Sequence, residues 1–261
     1  LMKKAFFTLA AMLTSALAMS QFYVYKDGEV ILSMESGVAD SITFSKPQLQ
    51  VYKTGTEDGH DYVDLGLTSG TKWATCNVGA DNPSAYGAYY AWGEVAEKTS
   101  YAWSNYFDTD DNGVNFNEYG TEKKSLDPEE DAARVNWGGK WVMPADEDFE
   151  ELLAECYWQW TDKYSISNTK GYIVYKVKDE ADKGLCNTSE NTYTYSDAHI
   201  FLPAAGDIGE SANGVGTTGR YWSSSLRNTT TGKRLGFDSG KANFTWGDRY
   251  YGRTVRAVIK K

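Results

Sequence analysis

The stretch that most constrains this chain is residues 131–160, DAARVNWGGKWVMPADEDFEELLAECYWQW. It reads as the end of one helix, a double-glycine break at Gly138-Gly139, a short extended piece and a second, amphipathic helix. In the second helix Phe149, Leu152, Leu153 and Cys156 recur at i, i+3, i+4 and i+7, which makes one apolar stripe. Pro144 stands before it, and Asp146 is placed to cap its free N–H groups. Upstream, Asp127-Pro128-Glu129-Glu130 predicts the start of the first helix, with an N-cap acid, proline at the first helical position and a glutamate where a capping box puts it. Gly138 and Gly139 stop that helix. Trp137, Trp141, Trp158 and Trp160 surround the unit, and four indoles bury a large area at low entropy cost.

Nearly everything C-terminal reads as short strands that pack on this helix: 171–177, 199–205, 220–225, 234–237 and 254–259. Before it, 62–67, 72–78 and 87–94 read as strands, and 99–121 as a long polar loop. Residues 21–46 read as a small β unit, in which Phe22, Val24 and Val30, Leu32 alternate around a Lys26-Asp27-Gly28 turn, with a third strand at 41–45. Polar, turn-rich 47–59 reads as a linker, so the main domain spans 60–261. With 25 Gly, 19 Tyr and nine Trp in 261 residues, the composition favours a loop-rich α+β protein over a helical bundle.

Residues 1–20 read as a secretory signal: Lys3 and Lys4 form a charged start, 5–13 an apolar run too short to span a bilayer comfortably, and Ala18 and Ser20 suit cleavage before Gln21. An uncleaved N-terminal anchor is the rival reading. Export to the periplasm, cell surface or medium is the expectation, without membrane insertion after cleavage. Loss of the two leader lysines leaves 24 basic residues against 36 acidic. Such a chain repels nucleic acid and anionic membrane surfaces, and tolerates neutral sugars, proteins and cations. Of the three cysteines, Cys76 and Cys156 are the better candidates for a disulfide in an exported protein, and free buried thiols are an equal alternative.

The ordered series HDYVDLGLTSGTKWATCNVGA (60–80), YYAWGE (89–94), DAARVNWGGKWVMP (131–144), IFLPAAG (200–206), YWSSS (221–225) and RTVRAVI (253–259) resembles the Fibrobacter succinogenes major paralogous domain, common in secreted and surface proteins of Bacteroidetes. The resemblance runs from about His60 to Lys261. It implies a C-type-lectin-like fold, two helices packed on mixed, mostly antiparallel short strands, with long loops carrying any binding site. It implies no established activity. The short leader β unit is similar to segments that precede such domains. Val142 stands where members usually have Arg, and Ala145 where they usually have Thr. That Thr would cap the second helix, a task left here to Asp146. The formylglycine-generating enzymes share this broad fold and use cysteines near the C-terminal end; none follows Cys186 here, which counts against the enzymatic relative.

Several constellations carry chemistry by letter. Asp108, Asp110 and Asn112, followed by Gly113, resemble the opening of a calcium loop, but the twelfth place is Tyr119 and the acid Glu118 falls one short, so a solvated acidic turn is the stronger reading and calcium the weaker. No other cofactor is indicated. Gly214, Gly216 and Gly219 match a dinucleotide fingerprint, yet a strand rather than a helix follows, which points to a glycine-rich loop. His199 opens an apolar strand, where a satisfied core role outweighs catalysis. No spacing points to a paired-carboxylate hydrolase, although the acids are many.

The most suggestive surface is residues 243–253, NFTWGDRYYGR, read as a glycine-bounded loop. Trp246, Tyr250 and Tyr251 can stack on sugar rings or anchor a protein; Asn243, Asp248 and Arg249 can supply directional hydrogen bonds; Tyr221, Trp222 and Arg227 can join them. The alternative is that these aromatics are core. In relatives carrying diversity-generating cassettes the same stretch is the hypervariable face, and Asn243, Asp248 and Tyr250 would suit a ligand-variable receptor. The expectation is therefore a non-enzymatic adhesion or binding protein for a glycan or protein ligand. A secreted glycan hydrolase and a structural module of a surface assembly are the rivals.

Overall fold

The computed structural model describes residues 21–26, 29–35, 51–109, 124–188 and 192–261. They fall in two compact units, Leu1–Pro47 and Gln48–Lys261. In the first, β1 (Gln21–Lys26) and β2 (Glu29–Glu35) pair antiparallel with a register shift between Val24 and Tyr25. The signal segment, the Asp27-Gly28 turn and the strand expected at 41–45 lie outside the described residues.

The second unit is α+β, with mostly antiparallel sheets. Its N-terminal hairpin joins β3 (Gly55–Glu57) to β4 (His60–Val63), so part of the expected linker is sheet. Asp58 and Gly59 connect them with φ of 45° and 82°, the left-handed pair that a tight hairpin turn demands and that an Asp-Gly sequence accepts. Next come β5 (Lys72–Ala74), α1 (Ala132–Trp137), β6 (Trp141–Val142), α2 (Asp146–Glu155), β7 (Cys156–Thr161), β8 (Gly171–Lys176) and β9 (His199–Pro203). A small hairpin, β10 (Asp207–Ile208) and β11 (Ala212–Asn213), precedes three long strands, β12 (Gly219–Leu226), β13 (Thr231–Asp238) and β14 (Lys241–Asp248). The last strand, β15 (Val258–Ile259), returns to the start of the domain and inserts between β5 and β6, giving the order β3-β4-β5-β15-β6.

Both helices exist, but their starts differ from expectation. Residues 128–130 form a turn, and α1 begins only after Asp131. The Asp131 carboxylate accepts from the N–H groups of Arg134 (3.0 Å) and Met143 (2.8 Å), so it caps the helix and fastens β6 at once. For α2 the cap is Ala145 and not Asp146; Asp148 reaches back to accept the Ala145 N–H at 2.7 Å. Asp146 instead accepts from the Ser225 hydroxyl at 2.9 Å and pairs with Lys233, tying the helix to β12 and β13. The apolar stripe of α2 is as expected: Phe149, Leu152 and Cys156 are fully buried and Leu153 is half-buried. They meet Trp73, Trp158, Tyr172, Tyr221 and Leu235, so the helix is shared by all three larger sheets.

A second core gathers Trp92, Trp141 and Trp222 with Val255 and Ala257. These indoles find acceptors: Trp92 on the Ser223 carbonyl (2.9 Å), Trp222 on Tyr90 (2.9 Å) and Trp141 on Glu57 (3.0 Å). Residues 87–94, expected as a strand, make only a single bridge, Tyr90 to Arg253. Gly87 and Gly93 have φ of 75° and 83°, which breaks the extended run at both ends.

Arg256 is completely buried. Its guanidinium donates to Asn77 Oδ1 (2.8 Å) and to the carbonyls of Ala74, Thr75 and Phe201 (3.0, 2.9 and 2.8 Å). A buried charge is tolerated when its donors are this fully engaged. Cys76, Cys156 and Cys186 are free, so the Cys76–Cys156 pair is not formed. Cys156 is locked in the first core, and Cys76 sits beside the Thr75 hydroxyl at 3.5 Å. Among the described residues no helix is long and apolar enough to cross a membrane.

Candidate functional site

The sheet β12-β13-β14 sorts the expected ligand residues. Cross-strand partners share a face, and alternate residues change face. Tyr221, Leu235 and Phe244 form one row, directed at α2, where Phe149 and Phe244 stack at 6.0 Å. Arg220, Gly236 and Asn243 form a row on the opposite face.

Tyr221, Trp222 and Arg249 were candidates for ligand contact; all three are fully buried. Tyr221 donates to the Pro203 carbonyl at 2.6 Å and is part of the core. Arg249 pairs with buried Asp108 at 2.8 Å, between the rings of Trp92 and Tyr106. Asp108 is therefore buried in an internal ion pair and does not lie in the solvated acidic turn expected for it. Asp110, Asn112 and Glu118 lie outside the described residues. Among the described residues no group of three metal-ligating side chains forms.

The segment expected as a loop from Asn243 is strand as far as Asp248, which pairs with Thr231. Trp246 is half exposed on that strand, with the Arg227 guanidinium 3.6 Å above its ring. The turn follows only at 249–252, and it delivers Tyr250 and Tyr251 to a different place. Their rings stack at 4.3 Å, and Tyr250 meets Trp103 edge-on at 4.9 Å.

These three rings line a cleft of about 430 Å³. Tyr101, Ala102 and Gly209 also line it, and Glu210, Ser211 and Asn213, all exposed, supply polar groups. Its walls are pinned. Ile208 and Gly252 exchange both backbone hydrogen bonds at 2.8 Å, which clamps the β10–β11 hairpin against the tyrosine turn. Tyr101 donates to the Tyr89 carbonyl at 2.6 Å, and its ring lies where a Cβ on Gly252 would stand. Burial, reinforced by Tyr251, pushes the Tyr250 phenol well above its ordinary pKa, so at neutral pH it is an uncharged donor.

Sequence reasoning missed Trp103, Glu210, Ser211 and Asn213. Trp103 stands in a short 3-10 turn, Trp103–Asn105, far along the chain from Tyr250, and nothing local joins the two. The glycines around β10 and β11 signal a tight hairpin but not what it faces. The remaining histidine expectation holds: His199 is buried, with Nδ1 2.8 Å from the Asp197 carbonyl and Nε2 3.0 Å from the Tyr164 hydroxyl. A carbonyl only accepts, so Nδ1 carries the proton and Nε2 accepts from Tyr164. Residues 214–218 are a loop entering β12 at Gly219, as a strand in place of the fingerprint's helix implied.

No protein-family model, no curated protein and no solved structure matches the chain.

Proposed function

We propose that this protein is a non-enzymatic binding module that recognises a saccharide in the cleft between Trp103 and the Tyr250-Tyr251 pair. One observation carries the reading: three clustered aromatic rings face exposed polar side chains across a pre-formed cleft of ligand size. Aromatic faces stack on the C–H surface of a sugar ring, while Glu210, Ser211 and Asn213 orient its hydroxyls. Hydrolysis by a carboxylate pair is less well supported, because among the described residues lining the cleft Glu210 is the single acid.

The C-type-lectin-like assignment, membership of the Fibrobacter succinogenes major paralogous family, and export to the cell surface belong to the same proposal. The motif series, the two helices on mixed antiparallel sheets and the leader-like N-terminus support them. A ligand-variable receptor would place its variation on the same tyrosine turn, with Tyr250 in the cleft wall.

The test is a glycan array with the wild-type chain, Trp103→Ala and Tyr250→Ala. Binding of a neutral oligosaccharide that falls about tenfold or more in both variants, in line with the loss of one stacked ring, is the expected result. Binding that survives both changes, or no glycan bound at all, rejects this cleft as a sugar site.

A further inference from the structure

The face of β12-β13-β14 turned away from α2 carries a second depression, of about 210 Å³. Arg220, Arg234, Lys241, Asn243 and Thr245 line it, each from one of the three long strands. Its floor is Gly236, which stands between Arg220 and Asn243 in the cross-strand row. A Cβ there would meet Arg234 Nη1 at 2.4 Å, so glycine is what lets that guanidinium lie flat across the sheet.

The cations outnumber the acids. Arg220 and Arg253 both pair with buried Asp207, Arg253 through Nε and Nη2 at 3.2 Å each. Arg234 donates Nε to the Trp246 carbonyl at 3.1 Å. The acid that lines the depression, Asp238, accepts through Oδ1 from the N–H groups of Gly240 and Lys241 in its own turn. Of the four cationic side chains Arg220, Arg234, Lys241 and Arg253, two share the one carboxylate of Asp207 and the other two form no ion pair among the described residues, in a chain whose net charge is −10. Among the described residues the terminal nitrogens of Arg234 have no acceptor, and Arg253 Nη1 is buried without one. Burial first, then Arg220, lowers the Arg234 pKa to about 10; burial first, then Arg234, lowers that of Arg253 to about 9. The like charges repel, and a bound anion would relieve them.

We propose that this depression is an oxyanion-binding site, built for a sulfate, phosphate or carboxylate group held by Arg220, Arg234 and Lys241 and oriented by Asn243 and Thr245. Planar guanidinium groups suit the paired oxygens of such anions. The group is either a free inorganic ion or the acidic substituent of a saccharide. The site shares no lining residue with the aromatic cleft.

Calorimetric titration of the full chain with inorganic sulfate, inorganic phosphate, a sulfated disaccharide and a uronic-acid disaccharide tests it. Saturable binding of at least one probe is expected, weakening about tenfold or more in Arg234→Gln and in Lys241→Glu, the effect of one charge-assisted hydrogen bond. Gly236→Val should weaken it too. Lys241 is exposed, so its variant keeps the test valid should the others fold poorly. Preference for the inorganic ions identifies a free anion as the ligand, and preference for an acidic disaccharide identifies a glycan; either supports the site. No binding by any of the four, or binding unchanged in Lys241→Glu and in every folded variant of Arg234 and Gly236, overturns it. Neutral-sugar binding in the aromatic cleft should be unaffected by these changes, so the two sites fail separately.

Discussion

Two three-stranded antiparallel sheets in this domain are built to opposite ends. In β7-β8-β9 both faces are covered: Trp158, Tyr172, Val174 and Leu202 enter the main core, and Tyr157, Ile173, Tyr175 and Phe201 enter a separate aromatic cluster with Tyr164 and Tyr193. In β12-β13-β14 one face is covered by α2, while the other is divided: Trp222 enters the second core, and the rest presents charged and polar side chains to a shallow depression. The first sheet sends side chains from both faces into packing, with Lys176 its exposed end. The second leaves part of one face polar and open, beside the turn that follows β14.

The contrast is broken most directly at Phe201, which is 1% exposed and stacked on Tyr164 at 4.1 Å. Phe201→Ala should cost about 3–5 kcal/mol, the range for deleting a buried aromatic ring, read as a fall in denaturation midpoint. A loss under about 1 kcal/mol would show that the second face of this sheet is not a true core.

A smaller effect in the same sheet is its pH dependence. Burial holds the His199 imidazole below its ordinary pKa, against the opposing pull of Asp197. The folded state keeps it neutral while the unfolded chain takes up a proton. Its contribution to stability is complete above about pH 6.5, the ordinary histidine value, and is lost as pH falls toward the depressed folded value. Melting temperatures between pH 7 and pH 5 should fall more steeply in the wild type than in His199→Gln. Equal slopes would remove His199 as the cause.

The smallest effect belongs to the open sheet. Trp246→Ala removes a ring that is 50% exposed and touches Arg227, and should cost less than about 1 kcal/mol, near the value of an exposed cation–π contact. A larger loss, measured by denaturant titration, would make this edge of β14 structural and blur the contrast.

The same division explains what could be read from the chain. The run GYIVYK of β8 and the pattern of 219–226 announce strands because side-chain burial alone dictates them. The amphipathic stripe of α2 is legible for the same reason. Helix starts were less so: Asp127-Pro128-Glu129-Glu130 has every local mark of a cap, yet Asp131 wins because one carboxylate there serves both the helix and Met143. Residues 243–248 are polar enough to pass for a loop, and only pairing with β13 makes them a strand. Tyr250 and Tyr251 do line a cleft, while for Tyr221 and Trp222 the core alternative is the one realised; Arg249 is buried too, through partners more than a hundred residues away such as Asp108. Trp103 meets Tyr250 only once distant segments come together, whereas the Arg220-Arg234 depression is local to one three-stranded meander and needs only its register.

Arg256 reaches Asn77, 179 positions earlier, and β15 fills the gap between β5 and β6. β5 already pairs with β4 on one edge, but its other edge, and β6 altogether, wait for that distal segment. Closure on so distant a contact makes folding slow and late, because the entropy of a very long loop is spent before any pairing rewards it. During synthesis the five-stranded sheet is thus an unbuckled belt, closed only when β15 reaches the slot between β5 and β6.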